Sequence, residues 1–227
     1  MAEEKKEVKK GVKYLITGFE NTGKTTLLTG VKDSLIISVD DKPFGGNVPH
    51  YSVDSFKTVR NFEDTLMEKM KKYKAKFKKF PKVIIIDTIT KLYEKMHKQA
   101  TKTATGFGIF NAVQDNTLAI NDLTEKLVKS GFDIIISAHL VYDENTGKYN
   151  VPAVGQFKTT GSWLSVVDEA SYLFFDGDDR MIAHKKVGLP CRSTLDLKEE
   201  EEVSEFDINK HLQSLRDKSL ANQEFEL

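Results

Sequence analysis

The chain has 227 residues, enough for one domain with a full hydrophobic core, and its 34 Lys plus Arg balance 34 Asp plus Glu. That balance excludes a general electrostatic argument for nucleic acid or membrane and leaves any steering to local patches. A single cysteine, Cys191, excludes an intramolecular disulfide and fits a reducing compartment, and no stretch approaches the ~18 consecutive apolar residues of a membrane span.

The N-terminal MAEEKKEVKK lacks the apolar centre of a signal peptide, so residues 1–10 are expected to be a charged flexible tail on a soluble, cytoplasmic protein. Beyond it, β-rich apolar runs at 12–18, 34–40, 82–87 and 132–138 read as strands. Amphipathic segments at 24–32, 55–76, 88–102, 110–130 and 207–217 read as helices, and 170–197 is again β-rich. Such alternation predicts an α/β fold with a mostly parallel central sheet flanked by helices. The uniform hydrophobicity of VIIID and DIIIS marks strands covered on both faces. Asn145 and Gly147 suit a hairpin tip or flexible loop at 142–149, and Lys198–Glu202 reads as a solvated acidic linker before the last helix. The expected organisation is a tail at 1–10, a core domain at 11–197, and an acidic linker plus C-terminal helix at 198–227.

Between the first strand and first helix lies GFENTGKTT, residues Gly18, Phe19, Glu20, Asn21, Thr22, Gly23, Lys24, Thr25 and Thr26. It fits the G-x-x-x-x-G-K-[ST] phosphate-binding loop in its required strand-to-helix context. The two glycines let backbone N–H groups wrap a phosphate, Lys24 reaches the β- and γ-phosphates, and the Thr25 hydroxyl holds Mg2+. ATP and Mg2+ are therefore the expected ligands. A second carboxylate for the magnesium shell is offered by Asp87, at the end of KVIIID. Asp87 and Thr88 could each also cap the following helix. Because Thr88 follows Asp87, the common acid pair is absent, so a group that handles water must come from Asp40, its neighbour Asp41, or Glu20. His139, closing the fourth strand, could sense the γ-phosphate. The other histidines, His50, His97, His184 and His211, show no metal-ligand spacing.

Two other stretches could meet nucleic acid. The lysine-rich segment Glu68–Lys82 interleaves Tyr73, Phe77 and Phe80, which suits phosphate neutralisation and base stacking, or else a helix end with core-facing aromatics. Residues 101–108 form either a mobile loop or a helix connection. Trp163 could stack on a base or anchor a helix.

Together, GFENTGKTT, LIISVDD, VIIIDTITKL and IIISAH resemble RecA-like ATPases, and more narrowly the short phage-encoded members that include single-strand annealing and recombination proteins. The resemblance covers roughly residues 12–197. It implies a loop glutamate at Glu20, a magnesium-shell aspartate at Asp87, and a coupling residue at His139 followed by a mobile DNA-binding loop at about 140–162. It also implies that the segment 184–192 crosses a subunit interface, with Lys186 and Arg192 reaching a neighbour's phosphates and Lys185 as substitute. The implied partners are single-stranded DNA, further copies of the chain in a ring or short filament, and a single-strand DNA-binding protein, in the host cytoplasm if phage-encoded. The family's catalytic carboxylate is typically glutamate, so aspartates here imply slow hydrolysis. A nucleotide-gated binding module and a phosphotransferase are the competing readings; the well-separated Arg60, Arg180, Arg192 and Arg216 count against the latter's arginine-rich lid.

Overall fold

The computed structural model describes residues 10–40, 47–144, 147–153 and 162–223. The tail at 1–9, Asp41 and Asn145, and the 154–161 part of the expected DNA-binding loop lie outside the described residues. Strand β1 (Lys13–Gly18) enters helix α1 (Lys24–Thr29), followed by β2 (Ser34–Ser38), β3 (His50–Ser52), α2 (Val59–Phe77) and β4 (Val83–Asp87). Helices α3 (Ile89–Thr103) and α4 (Phe107–Lys129) precede β5 (Asp133–His139) and a small hairpin, β6 (Val141–Asp143) with β7 (Lys148–Asn150). A single turn, α5 (Ser162–Ser165), leads to β8 (Glu169–Asp176), β9 (Asp179–Ala183), β10 (Glu200–Glu202) and α6 (Ile208–Gln223).

One eight-stranded sheet has the order β10-β9-β8-β1-β5-β4-β2-β3. From β3 to β8 all neighbours are parallel, and β9 and β10 add antiparallel at the other edge. The apolar runs are uniform because successive side chains serve different layers. Tyr14, Ile16, Val83, Ile85 and Ile135 pack on the face that Leu28 of α1 and Ile208, Leu212 and Leu215 of α6 cover. Their neighbours Leu15, Ile84, Ile86, Ile134 and Ile136 pack with Leu66 and Met70 of α2, Leu92 and Met96 of α3, and Ile120 of α4. The central sheet and its flanking helices are thus those the alternation predicts. No helix among the described residues is long and apolar enough to cross a membrane.

Some expectations change. Glu200–Glu202, expected within a solvated linker, instead forms edge strand β10. Its backbone pairs with β9, while Glu200 meets Lys186 at 2.6 Å and Glu201 lies 3.3 Å from His184, so the acidic run is matched by the basic HKK segment beside it. The short strand β3 carries no apolar run and was not anticipated. Residues 101–108 are mostly helical, with a break only between α3 and α4. Trp163 is fully buried and its indole N–H donates to Tyr93 Oη, so it anchors α5 in the core. In the lysine-rich segment Tyr73 is buried, whereas Phe77 and Phe80 are exposed beneath the ammonium groups of Lys76 and Lys74.

Candidate functional site

The carboxyl ends of the parallel strands form one edge, and the register fixes which residues meet there. Gly18 is level with His139 on β5 and Leu173 on β8, and Ser38 is level with Asp87. The crevice outside such strand ends is where ligands bind in open α/β sheets. Here it is a cleft of about 340 Å³ lined by the loop residues Glu20, Asn21, Gly23, Lys24, Thr25 and Thr26, together with Ser38, Asp40, Asp87, Thr88, His139 and Arg180. Asp87 is not on the strand next to β1, because β5 lies between them.

The loop is held by close approaches. Gly23 has φ 85°, in the region that favours glycine, and a Cβ there would lie 2.7 Å from the Arg180 guanidinium. At Gly18 a Cβ would meet the Leu173 carbonyl oxygen at 2.7 Å. Thr22 Oγ1 donates to the Phe19 carbonyl at 2.9 Å and ties the loop's turn to itself. Lys24 is almost wholly buried, with its ammonium donating to the carbonyls of Gly18 at 2.8 Å and Phe19 at 2.6 Å. Burial lowers its pKa to about 8, against the opposing pull of Asp87 and Glu20.

Asp87 is also buried, and each of its oxygens accepts from a hydroxyl: Oδ2 from Thr25 at 2.8 Å and Oδ1 from Ser137 at 2.5 Å. The helix-cap alternative for this position is settled by its neighbour, since Thr88 Oγ1 accepts from the Lys91 N–H at 3.3 Å and caps α3. Asp87 is left to face the cleft. The peptide between Asp87 and Thr88 is cis. Thr25 and Asp87 therefore form a preassembled hydroxyl and carboxylate pair beside a buried cation, the donor set that magnesium and a triphosphate require.

His139 stands at the strand end with its N–H donating to Thr90 Oγ1 at 3.0 Å. Its buried Nδ1 has no hydrogen-bond partner among the described residues. Burial first, and then Lys24, hold its pKa below the usual imidazole range, so the ring is neutral at physiological pH. Arg180, well separated in sequence from the other arginines, is brought into the cleft by the turn between β8 and β9. Its buried Nε likewise lacks a partner among the described residues. Both orphaned atoms fit a site built to receive oxygen-rich ligand groups. Glu20 and Asp40 line the same cleft.

Lys186 and Arg192 do not line the cleft. Lys186 pairs with Glu200, and the Arg192 guanidinium donates to the Val167 carbonyl while its backbone bridges Ala170. Ala170 pairs with Leu15, which places Arg192 toward the amino-terminal end of β1, away from the loop. Within the protomer neither side chain reaches the nucleotide cleft.

A family model described as an AAA domain matches residues 10–204. Among solved structures, a KaiC-like protein from the hyperthermophilic archaeon Pyrococcus horikoshii OT3 is similar in fold, with a TM-score of 0.51 at 13% identity over 85% of each chain. No curated protein sequence matches significantly.

Proposed function

The chain belongs to the AAA-domain family of P-loop ATPases, and from that premise we propose that it is a Mg2+-dependent ATP hydrolase acting on single-stranded DNA, in phage recombination, annealing or replication. The observation that carries the hydrolase reading is the constellation of buried Lys24 and Asp87 with the half-buried Thr25, whose hydroxyl donates to Asp87, lining one cleft of about 340 Å³. Magnesium, which the Thr25 hydroxyl and Asp87 carboxylate would hold, supplies charge neutralisation on the β- and γ-phosphates. Lys24 exchanges its two loop carbonyls for phosphate oxygens. Arg180 faces the loop at Gly23 and offers N–H donors to charge that develops as the γ-phosphoryl transfers. Water attacks phosphorus in line, its oxygen bonding as the bridging P–O bond breaks, and Asp40 takes the released proton, with Glu20 as the alternative acceptor. His139 Nδ1, without a partner among the described residues, would register the γ-phosphate by donating its N–H to a phosphate oxygen in the Nδ1-protonated tautomer.

Two features support the DNA reading. A groove of about 350 Å³ shares Asp40 with the nucleotide cleft and is lined by the α3 row Lys91, Lys95, Lys98 and Lys102 together with Asp54 and Glu94; Lys91 pairs with Glu94 at 2.8 Å, which leaves the row a small excess of positive charge with which to track phosphates. Phe19 of the loop packs edge-on to Tyr149, and Tyr149 against Tyr142, so the loop touches the hairpin that begins the expected DNA-binding segment. In a homo-oligomeric ring or short filament, Lys186 is the better candidate for a charge acting between subunits, since its side chain is 42% exposed, pairing with Glu200 and lying over the Phe174 ring.

Steady-state ATP hydrolysis with and without single-stranded DNA, with Lys24→Ala as blank, tests this reading. Stimulation by DNA that vanishes in the variant is expected. Turnover that ignores DNA would overturn the DNA assignment, and ATP binding without any turnover would favour the nucleotide-gated binding module.

A further inference from the structure

At the opposite end of the sheet from the loop, Glu169, His184 and His211 come together, each fully or nearly fully buried. They belong to three elements: the first residue of β8, the residue after β9, and α6. One candidate ligand atom from each lies within 4.8 Å of the others. Glu169 Oε1 and His211 Nε2 face each other at 3.7 Å, too far for a hydrogen bond, and neither has a partner among the described residues. Two buried polar atoms left open toward one point need a shared occupant, because an unsatisfied buried polar group is costly. The third ligand is already oriented: the Ser171 hydroxyl lies 2.9 Å from His184 Nδ1 and is itself bonded by Tyr14 Oη at 2.8 Å. That leaves His184 Nε2 to ligate, with Glu201 Oε1 at 3.3 Å from it as a further oxygen.

We propose that Glu169, His184 and His211 form a structural zinc site that clamps α6 to the β8–β9 edge of the sheet. Two imidazoles and a carboxylate suit zinc better than magnesium or calcium, and a shift of a few tenths of an ångström brings a 3.7 Å pair to the separation of adjacent ligands on a tetrahedral ion. Phe206 packs on both rings. The site is separate from the magnesium position, because Glu169 pairs with Tyr14, four residues before Gly18 and so about 13 Å along the strand. Histidine spacing in the sequence carries no metal signature because the ligands are 15 and 27 residues apart and meet only through the hairpin and α6.

The test uses the full chain without an affinity tag, stripped with a chelator and titrated with Zn2+ and with Co2+ in Mg2+-containing buffer. One equivalent of Zn2+ should raise the melting temperature by several degrees, and Co2+ should give the visible absorption of a tetrahedral N/O site. His211→Gln and Glu169→Gln should lose both signals, and His97→Gln on the exposed side of α3 should keep them. A wild-type chain with neither a zinc shift nor a cobalt band would overturn the proposal even if the variants fail to fold. Signals undiminished in a folded His211→Gln would overturn it as well.

Discussion

Lys24 shows how function is placed at the expense of stability. The residue is 5% exposed and its pKa is lowered to about 8, so holding it charged at neutral pH costs on the order of 3 kcal/mol relative to an exposed lysine. Between about pH 8 and 10.5 the unfolded chain binds more protons at this residue than the folded chain, so this penalty is relieved and its contribution to stability rises with pH across that window. Lys24→Met should therefore raise the melting temperature at pH 7 while abolishing ATP binding. Bound phosphate stabilises the charged form, so wild-type ATP affinity should weaken about tenfold per pH unit above about pH 8, with proton uptake visible in calorimetry. An affinity flat to pH 9.5 would contradict this placement of Lys24. Arg180→Ala should lower kcat about 10²-fold with ATP binding and fold retained. The loop residues and Asp87 were legible because a local motif and a strand-end acid announce them. Arg180 was not, since it reaches Gly23 only through the β8–β9 turn, which sequence distance conceals.

At the scale of elements, the loop and the β6–β7 hairpin are joined by ring contacts, with Phe19 and Tyr149 centroids 5.0 Å apart and Tyr142 and Tyr149 5.2 Å apart. If this contact carries nucleotide state to the DNA-binding segment, Tyr149→Ala should abolish DNA stimulation and leave basal hydrolysis within about twofold, since Tyr149 touches the loop through the Phe19 ring and does not line the nucleotide cleft. Equal loss of both would show that the hairpin supports the cleft itself. The strands and long helices were readable because both faces of VIIID and IIIS are covered, which gives runs too uniform for anything but interior strands. Strand β10 was hidden, because three glutamates carry no apolar signal and their pairing with β9 is a tertiary choice. Likewise, Trp163 is a core anchor by virtue of Tyr93, 70 residues earlier.

For the whole molecule, the order β1-β5-β4-β2 gathers a loop, a carboxylate and a strand-end histidine at one edge, while α6 and the β8–β10 edge close the opposite end. Motif order alone anticipated the first edge. The second depends on α6 folding back onto β1, which no local pattern announces. On the proposed reading, Lys24, Thr25 and Asp87 together hold one magnesium-nucleotide complex. Calorimetric titration of ATP with and without Mg2+, on the wild-type chain and Asp87→Asn, tests it most directly. We expect one ATP per chain, tightened at least tenfold by Mg2+, with that gain lost in Asp87→Asn. Binding that is indifferent to Mg2+ in the wild-type chain, or a full Mg2+ gain in Asp87→Asn, would contradict it.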